Sequence, residues 1–200
     1  MATKLHIGSG PSPIAGWVNI DILPYPGVDH IMDVRHGLPF DSVAFIFAEH
    51  FLEHLSLGDG LLFLRECRRA LRPDGVLRLS TPNLDWVWLT HYKDPAGMSD
   101  QQRLLGCLEM NRAFHGWGHR FLYNSGTLSR ALKAAGFAEI TFTAYGESAQ
   151  PELRGLERHE RHADVPFAPS VLVAEGTGVA PPDWQFELEI APFVRDYSAM

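Results

Sequence analysis

Ala44-Phe45-Ile46-Phe47-Ala48 is a run of five apolar residues without polar alternation. It is short for a helix and too apolar for a strand with one wet face. It therefore reads as a strand covered on both faces, the environment of a parallel sheet. Parallel neighbours need crossover connections, which narrows the chain to α/β architectures. The flanking sequence agrees. Leu5-His6-Ile7 reads as a first strand, stopped by Gly8-Ser9-Gly10-Pro11. Trp17-Val18-Asn19-Ile20 reads as a second ending at Asp21, and His30-Ile31-Met32 as a third ending at Asp33. After the apolar run, Leu57, Leu61, Leu64 and Leu71 form one stripe at helical spacing. Arg65, Arg68 and Arg69 are left for an exposed face, and Pro73-Asp74-Gly75 is the stop. Val76 to Ser80 then reads as a fifth strand. Strands alternating with helices argue for a mostly parallel α/β sheet.

Residues 83–124 are richer in Trp, His and Tyr, carry an expected helix near 99–114, and read as an insertion or lid over the sheet edge. Residues 125–135 are an amphipathic helix between a Ser or Asn cap and Gly136. Residues 138–144 are an expected strand, with 170–174 as its antiparallel partner across a charged loop, 146–168. The tail, 176–200, carries Pro181-Pro182 and shows no clear periodicity. With no repeat or low-complexity tract, residues 1–200 read as a single domain.

The 200 residues carry a net charge of −7, which argues against nucleic acid or an anionic membrane as the main partner. The two cysteines, Cys67 and Cys107, make no disulfide framework and suit a reducing cytosol. No signal peptide or membrane span is visible, so the expectation is a cytoplasmic protein. Whether it forms a homodimer is left open.

The stretch HIGSGPSPIAGWVNID carries the most chemical information. Glycines after a first strand let the backbone approach a ligand closely. An acid ending the second strand, Asp21, can accept hydrogen bonds from ribose hydroxyls. Only about nine residues link the two strands, fewer than a crossover with a full helix needs. The first helix is therefore expected to be shortened or absent. A pyrophosphate normally sits at that helix's N-terminus, so the shortening disfavours a nicotinamide cofactor.

Five segments, LHIGSG, NIDI, MDVRHGLPFDSVAFIFAEHFLEHL, ECRRALRPDGVLRLSTPN and GHRFLYNSGTLSRALKAAGF, together resemble class I S-adenosylmethionine-dependent methyltransferases of the small methyltransferase-11-like kind. The resemblance spans residues 5–137. It implies a Rossmann-like three-layer sandwich around a mostly parallel seven-stranded sheet with an antiparallel last strand. It implies S-adenosyl-L-methionine as cofactor. Gly8, Ser9 and Gly10 would pass beneath its methionine part, Asp21 would bind the ribose, Asp33 with Val34 would flank the adenine, and Ile22 would also belong to the cofactor site. Ala48, Glu49 and His50 would border the methionine and the sulfonium. The family usually has an acid before the glycines. Here His6 or Ile7 stands there, and Glu49 is the residue that could replace it.

His50-Phe51-Leu52-Glu53-His54 also matches H-x-x-E-H, which on a helix would present two imidazoles to one zinc ion. The resemblance instead places this run at the mouth of a methyltransferase site, and no metal is assigned. Three readings stand: a methyltransferase acting on a small polar molecule such as a sugar or secondary-metabolite intermediate, a zinc hydrolase using His50, Glu53 and His54, and a non-catalytic module binding S-adenosylmethionine or a nucleoside. Transfer to a hydroxyl needs a general base, and His50, His54 and His119 are the candidates. Trp86, His115 and Tyr123 are the expected substrate contacts. Trp86, Trp88 and Tyr92 also suit core packing, Asp41 a turn cap, and His159 and His162 a solvated loop.

Overall fold

The computed structural model describes residues 2–92 and 96–198. Seven strands form one sheet: β1 (Lys4–Ile7), β2 (Val18–Asp21), β3 (His30–Ile31), β4 (Val43–Glu49), β5 (Leu71–Pro82), β6 (Glu139–Thr143) and β7 (Val171–Thr177). Their order is β3-β2-β1-β4-β5-β7-β6. The pairs among β1 to β5 are parallel, and β7 runs antiparallel to both β5 and β6. This is the expected Rossmann-like sheet. Successive strands run outward one way through β2 and β3 and the other way through β4 and β5. The order therefore reverses between β1 and β4, where ligands bind outside the carboxyl ends of the strands.

The helices are α1 (Leu57–Ala70), α2 (Leu84–His91), α3 (Asp100–His115), α4 (Ser125–Ala134) and α5 (Trp184–Ser198). The pleat sends Leu5, Ile7, Ile46, Ala48, Leu77 and Leu79 to one face, where they join Leu61, Phe63 and Leu64 of α1, Leu128 and Leu132 of α4, and Phe186 of α5 in the main core. Each large side chain buried there stabilises by about 1.5–3 kcal/mol against exposure. Ser56 caps α1, accepting the Asp59 N–H at 3.1 Å, and Asn124 caps α4, accepting that of Thr127 at 2.9 Å.

The other face is covered by connections. Ile14 and Trp17 of the β1–β2 link and Leu153 of the β6–β7 loop pack on Phe45, Phe47 and Val76. No helix stands between β1 and β2, as the short link requires. The side chain of Asn19 does the work of the missing hydrogen bonds. It accepts from Ile14 N at 2.8 Å, and its amide donates to the carbonyls of Ile14 and Trp17 at 3.2 and 3.1 Å.

Several expectations change. Pro73-Asp74-Gly75 does not separate helix from strand: β5 begins at Leu71, and these residues bulge where β4 shifts register between Val43 and Phe45. Arg68 is buried, not solvent-facing, because its guanidinium ties the carbonyls of Gly178, Leu71 and Arg72 at 2.6–3.0 Å. Arg69 bonds Asp41 at 2.8 Å, so Asp41 is its ion-pair partner as well as a neighbour of β4. The tail is helical, with Phe186 seated in the core and Phe193 against Phe121. Trp88 and Tyr92 stack on each other at the surface, each about half exposed, and pack no core. No helix among the described residues is long and apolar enough to cross a membrane.

Candidate active site

The link after β1 turns on two glycines of left-handed backbone, Gly8 (φ 66°) and Gly10 (φ 51°). A Cβ on Gly8 would lie 2.6 Å from the ring of Phe51, whereas one on Gly10 would meet open space. Asp21, at the end of β2, fixes this turn. One carboxylate oxygen accepts Gly10 N–H at 2.9 Å and the other accepts Leu23 N–H at 2.9 Å. Each oxygen keeps a further lone pair. Ser9 Oγ is buried without a partner. Ile22, next along, is 57% exposed.

Across the reversal point, Ile7 pairs with Ala48 and so brings the end of β4 beside the glycines. Glu49 is buried, and the β6–β7 loop folds down on it. Its carboxylate accepts the N–H groups of Arg158 (2.8 and 3.0 Å) and His159 (3.0 Å), with His159 Nδ1 3.1 Å away. Arg158 also donates to the carbonyls of Ser12 and Pro13, stitching this strap to the glycine link. Beneath it lies a cavity of about 120 Å³ lined by His6, Gly8, Ser9, Phe47, Glu49 and His159, among others. His6 stacks on Phe47 and bonds Asn19 at 3.1 Å, and burial holds its pKa below the ordinary value.

His50 leaves the strand at φ 45°, an uncommon backbone for a non-glycine residue that often marks a functional constraint. Its Nδ1 lies 3.0 Å from Glu53 Oε1, and its Nε2 is buried without a partner. Burial disfavours the imidazolium, but the hydrogen bond and charge of Glu53, helped by Glu49, outweigh it and raise the pKa. Glu53 is fully buried and also accepts from Thr81 Oγ1 at 3.0 Å. Its backbone carbonyl takes the N–H groups of Arg120 and Phe121, which brings the segment before α4 to the mouth. His54 and His119 then face each other, ring centroids 5.3 Å apart.

Residues 12–141 match the family described as "Methyltransferase domain". The chain belongs to that family: it is a methyltransferase. Solved structures agree in fold. A methyltransferase from Thermotoga maritima, 16% identical, aligns over 88% of this chain and 82% of its own with a TM-score of 0.53. One from Mesorhizobium loti, 18% identical, aligns over 87% and 89%, also at 0.53. The CMeT domain of a citrinin polyketide synthase, 14% identical, aligns over 90% of this chain at 0.53, and the chain spans about half of it, 47%. No curated protein sequence matches.

The methyltransferase brings together Gly8, Ser9, Gly10, Asp21, Glu49 and His50 around the reversal point, with His54 and His119 beside them. It separates others from that group. Val34 is in the core, so only its backbone can face a ligand. Asp33 caps the turn Val34–His36 and is tied to Arg35 at 2.5–3.0 Å. Ala48 is likewise buried at the sheet. Tyr123 is a correction: it is fully buried and its hydroxyl points towards Gly60 in the core, so it cannot touch a substrate. Trp86 stacks on His162 and donates to the Ala163 carbonyl at 3.0 Å, which docks α2 on the β6–β7 loop. His115 is exposed at the end of α3.

The zinc spacing fails on backbone grounds. His50 is left-handed and only one tight turn, Leu52–His54, follows, so His50 and His54 do not share a helical face. The residues that sequence reasoning passed over are Arg158 and His159, assigned to a solvated loop. The signal for them was Leu153 and Leu156, two apolar residues inside the charged run that pack against the sheet.

Proposed function

We propose that this methyltransferase transfers a methyl group from S-adenosylmethionine to a hydroxyl of a small polar molecule, such as a sugar or a secondary-metabolite intermediate. The observation that carries the reading is the convergence, at the reversal point of the sheet, of the Gly8–Gly10 turn, the acid Asp21 and the imidazole of His50. The residues fit the cofactor: the Gly10 turn leaves open space where a side chain would stand, Ser9 Oγ lacks a partner, and Asp21 keeps lone pairs for vicinal hydroxyls. The missing first helix removes a phosphate site, which a nucleoside sulfonium does not need.

Bound S-adenosylmethionine supplies an electrophilic methyl group on a sulfonium. The chain's part is to hold the acceptor oxygen in line with it and to exclude water. Gly8, Ser9 and Gly10 support the amino-acid end, Asp21 the ribose, and exposed Ile22 with the backbone at Asp33 and Val34 the adenine end. His50 is aimed by Glu53 through Nδ1, its ring is 20% exposed at the mouth, and we assign its unpartnered Nε2 to take the acceptor proton. His54 and His119 line the acceptor side, with α2 and α3 as a lid. The acidic balance supports a small molecule over nucleic acid.

The test is calorimetric titration with S-adenosylhomocysteine, on the wild type and on Asp21→Ala. Micromolar binding that is lost in the variant is the expected result. Folded wild type that does not bind, or a variant that binds equally well, overturns the assignment.

A further inference from the structure

We propose that Glu53, His54 and His119 form a site for one divalent transition-metal ion at the acceptor side of the mouth. One donor atom from each lies within 4.8 Å of the other two. Bonds of about 2.0–2.2 Å around a tetrahedral ion separate ligand atoms by roughly 3.4 Å, so small side-chain rotations close the set.

The hydrogen bonds around the two imidazoles favour this. His119 Nδ1 lies 2.9 Å from the carbonyl of Ala113, and His54 Nδ1 lies 3.3 Å from that of Gly118. A carbonyl only accepts, so both Nδ1 atoms carry the proton and both Nε2 lone pairs are free. That is the tautomer of a metal-binding histidine whose other ring N–H is held by a carbonyl. Glu53 spends one lone pair of each oxygen on His50 and Thr81 and keeps the others. The turn that positions the pair is strained: Trp117 sits at φ 58° between Gly116 and Gly118, and it both turns the Gly118 carbonyl to His54 and returns His119 under α3.

Two imidazoles and one carboxylate suit Zn²⁺, Co²⁺ or Fe²⁺ and not Mg²⁺ or Ca²⁺, which prefer oxygen shells. Three protein ligands leave a position for an outside oxygen. On the methyl-transfer reading, that oxygen is the acceptor hydroxyl, held beside His50.

The experiment uses chelator-stripped full-length protein without cofactor. Zn²⁺ is titrated calorimetrically, and Co²⁺ by its visible absorption, on the wild type, His54→Ala, His119→Ala and Asp21→Ala. His54 and His119 are partly exposed, and circular dichroism checks that their variants remain folded. The expected result is one saturable ion per chain, weakened about 100-fold or more in either His variant and unchanged in Asp21→Ala. Absence of stoichiometric binding, or binding by both His variants as tight as that of the wild type, overturns the site. Because Asp21→Ala probes the cofactor and the His variants probe the ion, failure of one reading is separable from failure of the other.

Discussion

Gly10 holds a left-handed backbone that costs an L side chain roughly 1–2 kcal/mol, and its missing side chain would stand in open space. Gly10→Ala should therefore lower stability by only about 1 kcal/mol, while its methyl group occupies the cradle. A urea midpoint set against a titration with S-adenosylhomocysteine checks this: affinity should fall by more than stability does. Gly8→Ala should behave in the opposite way, with stability lost first, because the new methyl meets the Phe51 ring. Asp33 allows a pH test. The hydrogen bond from Arg35 holds its carboxyl down at about 2, against the opposing effect of desolvation. A carboxylate depressed in the folded state stabilises above its unfolded pKa of about 3.9 and loses that contribution as pH falls towards about 2. Melting temperatures of wild type and Asp33→Asn should differ near neutral pH and converge between about pH 4 and 2. At this scale the Gly8–Gly10 turn and its tie to Asp21 were readable as a pair of features, since glycine after a strand and acid at a strand end mark a tight turn beside a strand terminus. Tyr123 was not readable, because nothing in the sequence says which way an aromatic ring beside His119 turns.

Among elements, β4 was legible because it is buried on both faces and so carries no polar alternation. The β6–β7 loop was not. Its charges read as solvated, yet Arg78 on β5, fully buried, bonds Glu157 of the loop and Glu175 of β7, both at 2.6 Å. Burial of ionic groups leaves no hydrophobic signature; only the partners' positions reveal it. Arg78→Met should leave two buried carboxylates without their counter-charge and cost about 3–5 kcal/mol, read as a shifted denaturation midpoint. The same variant should speed proteolytic cleavage within 154–162 if the ion pairs pin the strap, and an unchanged digestion rate would argue that Glu49 alone pins it. The tail helix was hidden for a different reason. Phe186, Ile190 and Val194 do recur every four residues and pack on the core, but Pro181-Pro182 before them and Pro192 among them masked the stripe.

At the scale of the molecule, the helical face is closed by α5, whose Phe186 is buried beneath the guanidinium of Arg130. Phe186→Ala should cost about 3–5 kcal/mol in thermal or urea unfolding while leaving the affinity for S-adenosylhomocysteine near that of the wild type, because the glycine turn lies at the carboxyl ends of the strands. The mostly parallel sheet could be anticipated from alternation, and its seven strands with an antiparallel last one from the family resemblance, whereas the strand order had no local signal. What could not be anticipated is that the two faces are built differently, one from helices and one from links held by Asn19 and Arg158. That difference bears on how the chain matures during synthesis. Strands β1, β2 and β4 emerge early and can pair, but Glu49 acquires its backbone donors only when Arg158 and His159, more than 100 positions later, have left the ribosome. A nascent chain shorter than that has its parallel strands but leaves Glu49 uncovered, so the cavity beside the glycine turn is completed as one of the last events of folding, after the strands that border it.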